Sequence, residues 1–216
     1  MTPAPRRALA TRSAGWARTL ARRLAESGVR PNAVSIAGVG FALASGTAFY
    51  VSSEFAREGR AALLLAAAAC IQLRLLCNLL DGMLAVEQEL RSSTGEILND
   101  LPDRIADVLI LVGAGYAGPQ FAYGVTLGWA AAVVAVLTAY VRVLGGSLGL
   151  TQHFIGPMAK QHRMFTLTVV TLLAVVEALI DLPFRAIPAG LAIIVAGSIA
   201  TGVRRTRRIL VEAGAR

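Results

Sequence analysis

Ala61–Leu80, AALLLAAAACIQLRLLCNLL, followed at once by Asp81 and Gly82, is the stretch that decides the fold. Arg74 is its only formal charge. At about 1.5 Å of rise per residue, a helix of that length crosses a hydrocarbon layer of about 30 Å. Lipid offers no water to backbone N–H and C=O groups, so such a run must satisfy them within itself, as a helix. Similar apolar blocks lie at about 33–51, 98–118, 122–144, 164–182 and 186–203. The 216-residue chain is 56% hydrophobic with a mean hydropathy of +0.63, well above the composition of soluble domains. The expectation is an all-α integral membrane protein whose six transmembrane helices form a single domain over residues 1–216.

Before the first span, residues 5–27 carry six arginines together with Leu9, Trp16, Leu20 and Leu24. On a helix these four apolar side chains share one face and Arg18 and Arg22 lie opposite. That pattern predicts an N-terminal amphipathic helix in the membrane interface, its charges toward lipid phosphates. No uninterrupted apolar core follows the charges, as a signal peptide would require. Gly28-Val29-Arg30-Pro31-Asn32 then breaks the helix. Later breaks fall at Ser52–Arg60, Gly118-Pro119-Gln120 and Asp181-Leu182-Pro183.

The net charge of +8 is concentrated at the two ends of the chain. Arg6, Arg7, Arg12, Arg18, Arg22, Arg23 and Arg30 precede the first span; Arg204, Arg205, Arg207, Arg208 and Arg216 end the chain. In so apolar a chain this pattern points to membrane orientation and anionic lipid heads rather than to nucleic acid. Six spans put both termini on one side, and the positive-inside rule makes that side cytoplasmic, with the loops near 83–97 and 145–163. Lys160 is the sole lysine. Such arginine usage suits a GC-rich bacterium and hence a bacterial inner (plasma) membrane. Cys70 and Cys77 lack metal-ligand spacing and are expected to be packing residues.

Ionisable groups at the edge of an apolar span are costly and therefore candidates for function. Arg74, Asn78 and Asp81 lie toward the end of the second span; Asn99, Asp100, Asp103, Arg104 and Asp107 open the third. Asn78 and Asp81, three apart, leave one helix face together; Asn99, Asp103 and Asp107 form a second one-sided stripe. A short loop can bring the two stripes together near the cytoplasmic surface. Converging oxygen ligands there suit a hard cation, Mg²⁺ or Mn²⁺, the natural partner of a pyrophosphate. Gly82 and Ala85 keep the wall beside Asp81 thin, leaving room for a ligand or for close helix packing. Asp100 is placed to cap a helix beginning at Pro102.

The run Asn78-x2-Asp81-Gly82-x2-Ala85-Val86-x8-Gly95-x3-Asn99-x3-Asp103 resembles the signature of the CDP-alcohol phosphatidyltransferase family. That signature reads Asp-x2-Asp-Gly-x2-Ala-Arg-x8-Gly-x3-Asp-x3-Asp, and every spacing is kept. Pro31-Asn32 also looks like the family's entry motif. The resemblance implies CDP-diacylglycerol bound at the cytoplasmic face, with metal at Asn78, Asp81, Asn99 and Asp103. Gly82, Ala85 and Gly95 would lie along the nucleotide. An acceptor hydroxyl would attack the phosphorus next to diacylglycerol, with Asp103 as general base, and CMP would leave. A homodimer is implied as well. Asn78, Val86 and Asn99 depart from the signature. Asparagine keeps a carbonyl oxygen for coordination, but two negative charges are gone. Glu87, Glu96, Asp100 and Asp107 are possible replacements.

Arg142, Lys160 and Arg163 are expected to gather on the phosphate of a polyol phosphate acceptor, where guanidinium forks supply paired donors. His153 and His162 are read as interfacial histidines, and Glu177 receives no role. Two other readings remain: a CDP-linked small alcohol donating to a lipid hydroxyl, and a non-catalytic relative serving as a membrane scaffold or lipid-binding protein.

Overall fold

The structure, a computed structural model, describes residues 15–87, 93–118 and 122–215, and their side chains apart from 86–87, 93–99 and 122. Seven helices make up the described residues: α1 (Gly15–Glu26), α2 (Pro31–Ser52), α3 (Arg57–Glu87), α4 (Ser93–Gly115), α5 (Ala122–Ser147), α6 (Lys160–Leu179) and α7 (Ala186–Gly214). The chain is a multi-pass membrane protein: α2, α3, α5, α6 and α7 are long and apolar enough to cross a bilayer. The third block, expected at 98–118, falls on α4, which is not among the helices apolar enough to cross. Asp100, Asp103, Arg104 and Asp107 keep this helix more polar than its neighbours.

The helices outrun the apolar blocks because a helix does not end where hydrophobicity ends. α3 continues through Asp81 to Glu87, and α7 carries the basic tail as far as Gly214. α4 begins at Ser93, so Pro102 lies inside it and Asp100 is not its cap. An interior proline is tolerated in membrane helices where neighbouring groups serve the freed carbonyl.

α2 packs on α3 and α4, α4 on α5, α5 on α7, α7 on α6, and α6 back on α3. Six helices therefore close into a ring in the order α2, α3, α6, α7, α5, α4. Small residues set the closest approaches. A Cβ on Gly113 would fall on the Gly46 backbone where α4 meets α2, and a Cβ on Gly128 would meet Gly115 where α5 meets α4. Close backbone approach through small residues is how membrane helices gain packing when lipid removes the hydrophobic drive between them. Ser45 Oγ adds a bond to the Ala67 carbonyl, 3.0 Å away on α3. Phe49, Leu64, Ile71, Ile110, Leu167 and Leu191 fill the interior, while Leu43, Trp129, Phe165 and Ile193 face outward.

Within the stretch expected as an N-terminal helix, Gly15–Glu26 form α1; residues 5–14, Leu9 included, lie outside the described residues. Ala17 and Ala21 are its buried positions. Ala21, Leu20 and Leu24 pack against Val34, Leu80 and Leu84, so α1 lies across the ends of α2 and α3; Trp16 is exposed. Both cysteines are free thiols. At the far end of the ring, Glu177 accepts the backbone N–H groups of Arg185 and Ala186 and thereby caps α7. Arg57 and Asp181 join the two loops there at 3.0 Å.

Candidate functional site

Asp81 and Asp103 line one polar cleft together with Asn78, Arg74, Ser35 and Cys77. The cleft forms where the end of α3 and the first turns of α4 lie against the start of α2. Gly38 permits that approach: a Cβ there would stand 3.2 Å from Cys77 Cβ.

The two carboxylates have opposite surroundings. Asp81 is 5% exposed and accepts a hydrogen bond on Oδ2 from Ser35 Oγ at 2.8 Å. Its Oδ1 is buried without a partner. A buried carboxylate oxygen is costly without a donor or a cation, so this is the oxygen of the cleft open to a cation. Asp103 is crowded instead. Its Oδ1 receives Arg74 Nη2 at 2.5 Å and Asn78 Nδ2 at 2.9 Å. Its Oδ2 contacts Lys160 Nζ and lies 3.8 Å from Arg104 Nη2.

The three cations expected at the acceptor do not gather on one point. Each meets a different acid of α4. Arg142 reaches Asp100 at 2.8 Å, Lys160 meets Asp103, and Arg163 reaches Asp107 at 2.9 Å. Asp100, Asp103 and Asp107 sit at intervals of three and four on one helix face, so the pairs form a ladder running inward. Arg142 also donates to Gln152 Oε1 at 3.4 Å and lies over the Phe154 ring at 5.3 Å. It remains at the mouth of the ladder. Arg163 is fully buried and donates further to the Met158 carbonyl and Thr138 Oγ1. None of the three cations lines this cleft or the groove beside it.

That neighbouring groove is apolar, about 430 Å³, and lined by Ile36, Val39, Leu43, Leu101, Ile105 and Leu109 among others. Val39 and Pro102 line the groove and the polar cleft alike. A small charged cleft thus lies directly beside an apolar groove between α2 and α4, an arrangement suited to a ligand with a polar head and a hydrocarbon tail.

The side chains of Asn99 and Gly95, with Val86, Glu87 and Glu96, lie outside the described residues. Gly82 and Ala85 are on the last turns of α3 beside Asp81. Among the described residues no group of three or more carboxylates, histidines or cysteines is placed to hold a metal. Asp81 Oδ1, with the carbonyl oxygen that an asparagine offers at 78, still fits a single hard cation. Ser35 escaped recognition as part of the site, whereas Arg74 was among the ionisable candidates. Ser35 sits 46 residues before its partner, and nothing in its neighbourhood marks it. Arg74 was visible as an isolated charge in an apolar block, but its partner was not.

No family model and no curated protein matches this chain. Solved structures do match in fold. The phosphatidylinositol phosphate synthase of Mycobacterium tuberculosis, in complex with manganese and citrate, superposes with a TM-score of 0.74 at 21% identity, covering 90% of this chain and 88% of its own. The same protein with CDP-DAG bound gives 0.73 at 22% identity, over 91% of this chain and 94% of its own. Its apo form gives 0.70 at 22% identity, over 89% and 95%.

Proposed function

We propose that this chain is a CDP-alcohol phosphatidyltransferase, moving a phosphatidyl group from CDP-diacylglycerol to the hydroxyl of a polyol phosphate with release of CMP. The observation that carries the reading is the shared cleft: Asp81 and Asp103, from the two halves of the signature, meet in a polar pocket that shares a wall, Val39 and Pro102, with an apolar groove. The manganese and the CDP-DAG in the structural neighbours support the same reading.

In this reading Asp81, Asn78, Asn99 and Asp103 would hold the divalent ion, Mg²⁺ or Mn²⁺. Bound there, it supplies positive charge against the pyrophosphate and against the charge that builds on departing CMP. Gly82, Ala85 and Gly95 border the nucleotide, and the groove along α2 and α4 receives the diacylglycerol. The acceptor oxygen forms its bond to the phosphorus next to diacylglycerol as the bond to CMP breaks, and the hydroxyl proton passes to Asp103. Arg142, at the mouth of the ladder, meets the acceptor phosphate. The Lys160 side chain is as exposed as that of Arg142, at 17%, but its Nζ is buried; Arg163 is deepest, holding Asp107.

The setting proposed is a single domain of six spans, α2 to α7, with α1 in the interface as the amphipathic helix. Both termini and the site face the cytoplasm of a bacterial inner membrane, and the protein works as a homodimer. A non-catalytic membrane scaffold is favoured by one observation: every acid on the described face of α4 already has a cation. Purified protein given labelled CDP-diacylglycerol, Mg²⁺ or Mn²⁺ and a panel of polyol phosphates decides between them. CMP release with at least one acceptor is expected, and none with any acceptor rejects the transferase.

A further inference from the structure

The polar cleft already contains fixed positive charge where metal would otherwise supply all of it. Arg74, 2% exposed, and Lys160 both sit on Asp103, one on each oxygen. Asn78 adds its amide to Oδ1. A carboxylate at position 78 has no proton to donate and would repel Asp103, so the neutral side chain belongs to this arrangement rather than marking decay of the site. Asp81 is the carboxylate left over, with one buried oxygen that nothing serves.

Charge then limits how many divalent ions the cleft can take. Among the described residues Arg74 and Lys160 stand opposite the two carboxylates, and Arg104, shared between Asp103 and Asp100, adds further positive charge, so the group carries no net negative charge. One divalent ion adds as much positive charge as a pyrophosphate diester brings negative. A second ion would stand among like charges in a buried setting, where repulsion is weakly screened.

We propose that the cleft binds a single divalent cation on Asp81, and that Asp103, instead of ligating an ion as the family signature implies, holds Lys160 and Arg74 in the place of a second one as built-in charge. The pyrophosphate as its counter-charge rests on the phosphatidyl-transfer reading; the ion count does not. Lys160 is the first residue of α6, and the packing of α6 on α3 carries it to Asp103 Oδ2, behind the cleft wall. As the sole lysine of the chain, it can be followed by selective amine labelling.

The test is Mn²⁺ titration of the full-length protein in nanodiscs, with free Mn²⁺ read by electron paramagnetic resonance and no substrate present. The wild type is expected to bind one ion per chain, and Asp81→Asn none. Lys160→Met is expected to bind Mn²⁺ about tenfold more tightly, because a like charge has gone. Lys160→Arg should match the wild type. Lys160→Met combined with Asn78→Asp is expected to take two ions. A merely structural lysine predicts the opposite sign, weaker binding in Lys160→Met. That result, or two ions or none in the wild type, overturns the proposal. The wild-type count stands even if a variant fails to fold. CMP release, measured separately, reports on the transferase reading: one ion without CMP sinks that reading alone, and CMP with two ions sinks this one alone.

Discussion

Arg163 Nη2 stands 2.9 Å from Asp107 Oδ2, and both side chains are at most 2% exposed. Their residues are 56 apart in sequence, so the pair fastens α6 to α4 in the interior of the ring. Thr138 Oγ1, at 3.5 Å from Arg163 Nη1, brings α5 into the same network. Breaking a buried pair from one side leaves a charge without compensation. Arg163→Met or Asp107→Asn should therefore lower stability by about 3–5 kcal/mol. The double variant Arg163→Met/Asp107→Leu should recover most of that loss. Thermal unfolding in detergent measures it, and an unchanged melting temperature in the single variants contradicts the structural role.

In the proposed site, cation binding hangs on Asp81. Asp81→Asn should reduce CMP release by at least about 100-fold, since losing a ligand exceeds the usual effect of losing a ligand's supporting bond. Ser35→Ala removes only such a supporting bond and should cost about tenfold. Rates at saturating Mg²⁺ or Mn²⁺ separate the two, and equal losses would mean that Ser35 does more than orient Asp81.

As the assigned proton acceptor, Asp103 predicts a fall in CMP release of about 10²- to 10⁴-fold for Asp103→Asn. The variant also loosens Arg74 and Lys160, so its melting temperature needs recording alongside the rate. A fully active Asp103→Asn protein would refute the general-base assignment.

Arg142 lies at the mouth of the ladder and is held by Asp100, Gln152 and the Phe154 ring. Arg142→Met should raise the KM for the polyol phosphate about tenfold or more while changing kcat much less, the mark of a lost charge-assisted contact. Steady-state kinetics with varied acceptor tests this. An effect confined to the KM for CDP-diacylglycerol would move Arg142 to the donor side.

Helix packing gives a prediction independent of chemistry. A side chain at Gly113 strikes the Gly46 backbone, whereas a Cβ at Gly202 meets only Thr138 Cγ2, at 3.7 Å. Gly113→Val should destabilise the protein by about 1–3 kcal/mol by forcing α4 from α2. Gly202→Ala should leave the melting temperature nearly unchanged.

Much of this protein is written locally. Hydrocarbon thickness and the need to satisfy the backbone within each segment make an apolar run such as Ala61–Leu80 a spanning helix. The positions of Asn78, Asp81 and Asp103 follow from fixed spacing on two helices, so their meeting in one cleft was legible from sequence alone. Helix ends were less so: α4 starts well before its apolar block because the preceding residues continue the helix despite their polarity.

Which cation meets which acid was decided only by tertiary structure. Arg142, Lys160 and Arg163 look like one basic cluster in sequence, yet the closure of α5 and α6 around α4 sends each to its own carboxylate. Ion pairing depends on distance in space across helices whose neighbours are set by ring order, and no local periodicity encodes that order. The sequence by itself determined a membrane-spanning helical chain with Asp81 and Asp103 at its polar edge. The tertiary structure decided that Asp103 is already surrounded by cations while Asp81 is not, because only packing brings Arg74 and Lys160 to one and Ser35 to the other.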